Sequence, residues 1–129
     1  RPGVRLTSMM APSIVLAEGR PRLVVGSAGS IRLRAAILQI VVNVIDHGLG
    51  APEAIDAPRV HLDEDVLQLE GGIGAVAADR LEEAGYRVNL WSDRNLYFGG
   101  AAAVAVGAGG ELEAAGDPRR GGAGVVVGA

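Results

Sequence analysis

The residues best placed to do chemistry lie in Val24-Val25-Gly26-Ser27-Ala28-Gly29-Ser30-Ile31. A glycine-bearing turn that delivers a strand into a helix leaves several backbone N–H groups without intrahelical partners, and the helix dipole adds positive potential there. Such a junction can hold an anion or a developing oxyanion. Three readings fit: a tight turn with Ser30 as an ordinary N-cap, a phosphate cradle, and an oxyanion hole. The phosphate reading lacks both the three-glycine dinucleotide spacing and the lysine-bearing phosphate-loop pattern. The turn alone does not choose between the other two.

Other reactive groups are sparse. Cysteine is absent, which removes a disulfide framework, a thiolate zinc site and a cysteine nucleophile. His47 and His61 have no further ligand at metal spacing, so no metal site is expected; they are expected to satisfy backbone groups near element ends. All 12 basic residues are Arg, a usage that fits a high-GC genome better than a function. The formal charge of -3, with acids and bases interspersed, argues against a nucleic-acid surface. The most apolar run, Ala35 to Ile45, is broken by Gln39 and Asn43 and is too short to span a bilayer. The start at Arg1-Pro2-Gly3, without Met or an apolar targeting segment, suggests a processed or excised piece.

The elements that position the junction follow from periodicity. Ser13-Ile14-Val15-Leu16 and Arg22-Leu23-Val24-Val25 flank a Gly19 turn and predict a hairpin. From Ser30 the chain runs apolar to Ile45 without Gly or Pro, which predicts a helix capped by Ser30 and closed at His47-Gly48. Apolar on nearly every face, this helix is expected to lie buried between layers and to need a partner layer. Ala51 to Ala57 predicts a short helix that Pro58 ends, Val66 to Leu69 a strand, and Val76 to Ala84 an amphipathic helix stopped by Gly85. Arg87 to Trp91 reads as a strand, and Ala101 to Val106 with Glu111-Leu112 as a second hairpin, followed by a turn-rich tail. Asn95-Leu96-Tyr97-Phe98-Gly99 overlaps an engineered protease-tag site but lacks its Gln, and reads as native. Hydrophobic residues make up 49% but aromatics only 3%, so the core is small and β-branched, suited to helix-on-sheet layers. Hairpins outnumber strand-helix-strand crossovers, which favours one α+β domain segment over residues 1–129.

Five segments in order resemble the γ-glutamyltransferase family. Thr7-Ser8-Met9-Met10-Ala11-Pro12 is similar to its serine-rich loop, and Gly26-Ser27-Ala28-Gly29-Ser30 to its Gly-Ser-Pro-Gly-Gly loop. Leu38 to Asp46 resembles its long core helix, Ala57-Pro58-Arg59-Val60-His61 its Ala-Pro-Arg-Phe-His segment, and Glu113 to Arg119 its Gly-Ala-Ser-Asp-Pro-Arg ending. The resemblance covers essentially the whole chain and identifies it with the C-terminal part of the small, catalytic subunit. It implies an N-terminal nucleophile hydrolase fold, an αββα sandwich of which this chain is the C-terminal part.

It also implies an activity: a Thr nucleophile attacks the γ-glutamyl amide, and water or an amine resolves the acyl-enzyme. Gly29 and Ser30 match the pair whose N–H groups form the oxyanion hole. Ser replaces Gly at the second position, tolerable for a backbone donor where φ is negative. Ser8 matches the first serine of the pair that holds the α-carboxylate; the second is Met9, which donates no hydrogen bond, so Thr7 or a residue elsewhere compensates or the acyl donor differs. Met9 and Met10 otherwise pack under the loop. Arg59, Asp117 and Arg119 match family positions, with ion-pair or turn roles expected rather than chemistry. The nucleophile and the acid that reads the α-amino group are expected outside these residues, leaving this chain inactive alone. The expected partners are the large subunit and the N-terminal part of the small subunit, with a small γ-glutamyl substrate such as glutathione and no cofactor. The resemblance places such a protein in the periplasm or outside the cell, with the cytoplasm open. The alternatives are a non-catalytic relative or truncated fragment with a structural role, a related acylase acting on another acyl group such as glutaryl, and a phosphate-binding module.

Overall fold

A computed structural model describes residues 1–128. Strands β1 (Ser13–Ala17) and β2 (Arg20–Ala28) form the expected hairpin, with β2 longer than its alternation suggested. β2 then pairs with β6 (Gly100–Val106), which pairs with β7 (Leu112–Gly116). The result is a four-stranded antiparallel sheet in the order β1-β2-β6-β7.

Pairing sets Leu23 and Val25 opposite Ala105 and Ala103, and Ala103 opposite Ala115. Because side chains alternate along a strand, these residues share one face. That face is covered by α1 (Leu33–Ile45) and α2 (Ala51–Asp56). The alanines at 101, 103 and 115 keep the sheet surface low, so Ile40, Val44, Ala54 and Ile55 pack directly on it.

α1 buries the stripe Leu33, Ala36, Ile37, Ile40 and Val44, at helical spacing. Its opposite side is open: Leu38 is 63% exposed and Ile45 42%. The expected burial on all faces therefore does not occur within this chain, which covers α1 fully from the four-stranded sheet and only in part from the second sheet. The helix closes where expected, with Asp46 and His47 both donating backbone N–H groups to the Val42 carbonyl and Gly48 at φ 69°.

A second sheet contains β3 (Val60–Asp63), β4 (Val66–Leu69) and β5 (Arg87–Leu90). β3 and β4 are antiparallel; β4 and β5 are parallel and joined through α3 (Ala75–Glu83). Gln39, which interrupts the apolar run of α1, fastens this sheet to the helix. Its amide donates to the Val60 carbonyl and accepts from the Val60 N–H, each at 2.8 Å. Layered helices on mainly antiparallel sheet give the α+β class expected from the sequence.

A buried charge cluster joins the two sheets. Arg119, just beyond β7, reaches Glu70 at the end of β4, with Nη2–Oε2 at 2.5 Å and Nε–Oε1 at 2.7 Å. Asp117 pairs with Arg59 at 2.7 Å and with Arg119 at 3.1 Å. All four side chains are buried. Burying charge is unfavourable unless it is paired and hydrogen-bonded, and here the carbonyls of Ile55, Ala57 and Phe98 accept further guanidinium protons, leaving Arg59 Nε as the one buried guanidinium nitrogen of the cluster without a partner among the described residues.

Candidate functional site

The Gly29-Ser30 junction lies between the end of β2 and a short 3-10 turn, Ser30–Arg32, that precedes α1. Gly29 adopts φ 131°, a conformation that L side chains avoid. A β-carbon there would also stand 2.9 Å from the Gly99 Cα, so the position needs glycine twice over. Gly99 is constrained in turn, with φ 93° and the Ala28 carbonyl oxygen 2.8 Å from its own β-carbon site. Two backbones thus meet at Gly29 and Gly99 with no room for side chains.

Ser30 departs from both expectations. Its φ is 58°, positive rather than negative, and it is not the cap of the long helix. The N-cap position of α1 is Arg32, without a side-chain capping bond. The physical cause is the tight exit from β2: the chain reverses through two successive left-handed residues before any helical turn forms. Among the described residues, no turn or cap hydrogen bond uses the N–H of Gly29 or Ser30, while the Gly29 carbonyl accepts from Arg32 at 3.2 Å. Two adjacent amide donors are left without a partner among the described residues.

The substrate-loop residues sit differently. Thr7, Ser8, Met9 and Met10 belong to an exposed, irregular segment before β1. Across residues 7–10 its local order includes a bond from the Met10 N–H to Ser8 Oγ at 3.1 Å. Met9 and Met10 are exposed and do not pack under the loop, because no described element lies over them. The structure brings Gly29 against Gly99, while the Ser8 hydroxyl is bonded to its own loop.

Behind the junction lies an aromatic group. Tyr97 stacks on Trp91 with centroids 5.0 Å apart and meets Phe98 edge-on at 5.1 Å. Its hydroxyl donates to Asp63 at 2.8 Å. Burial, with the Asp63 bond and charge behind it, pushes the Tyr97 phenol up. The Arg32 guanidinium lies 4.5 Å from the Tyr97 ring centroid. His61 is buried near Tyr97, and both its ring nitrogens lack a hydrogen-bond partner among the described residues. It therefore does not satisfy backbone groups as expected; desolvation, opposed by the Asp63 charge and assisted by those of Arg32 and Arg34, holds it below the ordinary imidazole value. His47 is exposed past the end of α1, where only its backbone N–H is engaged.

Arg59, Asp117 and Arg119 take the ion-pair role anticipated for them. Burial alone would raise the Asp117 carboxyl, but the Ala101 and Arg119 N–H groups and the Arg59 charge outweigh it and hold it below the usual range. Glu70, their fourth member, was not anticipated: it belongs to none of the five segments. Nor were Gly99 and Tyr97 assigned a role. One signal pointed there, since three of the four aromatic residues in the chain fall between Trp91 and Phe98.

With this geometry in view, comparison with known proteins is specific. The family model described as gamma-glutamyltranspeptidase matches residues 1–127. The glutathione hydrolase proenzyme of Escherichia coli (strain K12) is 40% identical over 120 residues, which is 92% of this chain and 20% of that protein. The acylase ACY 1 proenzyme of Pseudomonas sp. (strain SE83) is 40% identical over 87 residues, 67% of this chain and 16% of that protein. The chain thus spans about a fifth or less of these relatives. Among solved structures, gamma-glutamyltranspeptidase from Pseudomonas nitroreducens complexed with L-DON superposes with a TM-score of 0.81 at 36% identity, over 99% of this chain and 67% of that one.

Proposed function

Because the chain belongs to the γ-glutamyltranspeptidase family and shares its N-terminal nucleophile hydrolase fold, we propose that it is the C-terminal portion of the small subunit of a γ-glutamyltransferase or glutathione hydrolase, with Gly29 and Ser30 as oxyanion donors. The observation that carries this reading is the pair of adjacent backbone N–H groups left unused at Gly29 and Ser30, at the family's Gly-Gly position. A Thr nucleophile supplied by residues outside these 129 adds to the γ-glutamyl carbonyl, with its own α-amino group taking the hydroxyl proton. Charge develops on the carbonyl oxygen, and the two fixed amides stabilise it without reorganising at the moment of reaction. Removing one such donor raises the barrier by about 3 kcal/mol. Expulsion of the amine leaves an acyl-enzyme, which water or an amino acid then resolves.

Positive φ at Ser30 does not remove its donor, because the N–H belongs to the peptide and not to the side chain. The Ser8 hydroxyl, with Thr7 beside it, is the α-carboxylate contact, and the exposed segment takes its working position against the large subunit and the N-terminal part of the small subunit. In isolation the 129 residues are inactive.

The test is turnover of a chromogenic γ-glutamyl anilide by the complete, processed protein. Release of the aniline is expected; no release from protein whose Thr terminus is intact would sink the reading. A related acylase is the second reading, favoured by the ACY 1 similarity and by Met9, which cannot donate to a carboxylate. Glutathione competes with the anilide under the first reading and fails to compete under the second.

A further inference from the structure

Ser30 holds a left-handed conformation that is uphill for an L-residue, and the three-residue stretch from Gly29 to Ile31 has only the turn bonds from the Arg32 and Leu33 N–H groups to the Gly29 and Ser30 carbonyls to keep it there. A lower-energy negative φ lies one peptide rotation away, and that rotation would turn the donors. The stretch must be held at both ends.

At its start, Ala28 pairs with Gly100 in the sheet, and Gly29 lies against Gly99 without room for a β-carbon. At its end stands Arg32. Its guanidinium makes no ion pair among the described residues, and its Nε is buried without a partner. What Arg32 does contact is the Tyr97 ring, face-on at 4.5 Å. Both anchors therefore come from one loop, Asn95 to Gly100.

That loop is rigid for reasons visible in its own bonds. Glu70 Oε1 accepts the Asn95 N–H at 3.0 Å, the Asn95 side chain accepts the Tyr97 N–H at 2.9 Å, and Arg59 donates to the Phe98 carbonyl at 3.1 Å. Trp91, Phe98 and Asp63 fix the Tyr97 ring. The buried ion cluster thus reaches the junction through the backbone of this loop.

We propose that Arg32 and Tyr97 are positioning residues for the oxyanion donors: their cation-on-ring contact, with the Gly29–Gly99 contact, fixes the direction of the Gly29 and Ser30 N–H groups. This rests on the oxyanion reading above. Neither side chain needs to touch substrate. A misplacement near 1 Å costs on the order of a hundredfold in rate, so a loosened anchor is read in catalysis before it is read in folding.

The experiment uses the complete, self-processed protein and the γ-glutamyl anilide, with active sites counted from the acylation burst. Arg32→Met and Tyr97→Leu are each expected to lower kcat per counted site roughly tenfold to a hundredfold with KM within about twofold. Arg32→Lys, which keeps a cation, and Tyr97→Phe, which keeps the ring, are expected to recover most of that loss. The double variant is expected to be no worse than the poorer single one, as for two halves of one contact. Arg32→Gln carries the same arm if Arg32→Met is not processed. Unchanged kcat per site in Arg32→Met or Arg32→Gln, with only yield or melting temperature reduced, overturns the proposal. So does a rise in KM at constant kcat. Gly29→Ala separates the two levels: if it leaves kcat per site intact, the oxyanion reading itself fails. If it lowers kcat while the Arg32 and Tyr97 variants do not, that reading stands and the positioning role fails.

Discussion

The buried ion cluster and the N-terminal segment both carry family-matching motifs, yet their physical states are opposite. Arg59, Glu70, Asp117 and Arg119 pair with one another and hydrogen-bond the backbone at Ile55, Ala57, Asn95, Phe98 and Ala101 inside this chain. Thr7 and Ser8 lie in an exposed segment held by short-range bonds alone, such as that from the Met10 N–H to Ser8 Oγ. Matching motifs therefore do not imply matching completeness. A cluster whose partners all lie within the 129 residues forms here, whereas a loop whose proposed partners lie elsewhere is left without them.

Breaking the cluster has the largest expected effect on stability. Glu70→Gln leaves the Arg119 guanidinium buried beside an uncharged amide, and the expected loss is about 3–5 kcal/mol in urea unfolding. A loss below about 1 kcal/mol would show that the cluster is not a self-sufficient region. A smaller effect follows from acid. Asp117 has a folded pKa below its unfolded value of about 3.9, so its stabilisation is complete above that pH and is lost as pH falls through the lower folded value. Asp117→Asn is expected to flatten the fall in stability below about pH 4, followed by denaturation at a series of pH values; an unaltered slope there would assign the acid sensitivity to other groups. The smallest effect belongs to the N-terminal segment. Ser8→Ala removes an exposed local bond and is expected to shift stability by under about 0.5 kcal/mol while raising KM for the γ-glutamyl anilide in the complete protein. A stability loss comparable with that of Glu70→Gln would erase the contrast between the two regions.

Most elements were legible because each depends on neighbours close in sequence. The β1–β2 and β6–β7 hairpins follow from alternation around glycine turns, and α1 from a breaker-free apolar run that stops at Gly48. What the periodicity of α1 could not reveal is which side this chain covers, since that depends on the sheet beneath it. β4 and β5 fall where strands were expected, but β3 and the parallel pairing of β4 with β5 escaped for a similar reason: a four-residue strand such as β3 carries little alternation, and parallel pairing depends on α3 crossing between the two strands.

In the candidate site, the Gly29 requirement and the family match could be read directly from residue order. The left-handed Ser30 could not, because it is imposed by the exit from β2 and by Gly99, some seventy residues away. Glu70 was equally hidden: one of 15 acidic residues, it is singled out only when Arg119 arrives beside it from beyond β7.

By itself, then, the amino-acid sequence determined the family, the order of the elements and the pair of residues proposed to face the oxyanion, because these rest on local periodicity and on motifs in sequence order. Only the tertiary structure decided that Gly29 must lie against Gly99, that Ser30 is strained rather than capping, and that Arg32 rests on Tyr97. Those are contacts between segments brought together by the sheets, and their existence depends on how closely two backbones approach, a distance that no residue type encodes alone.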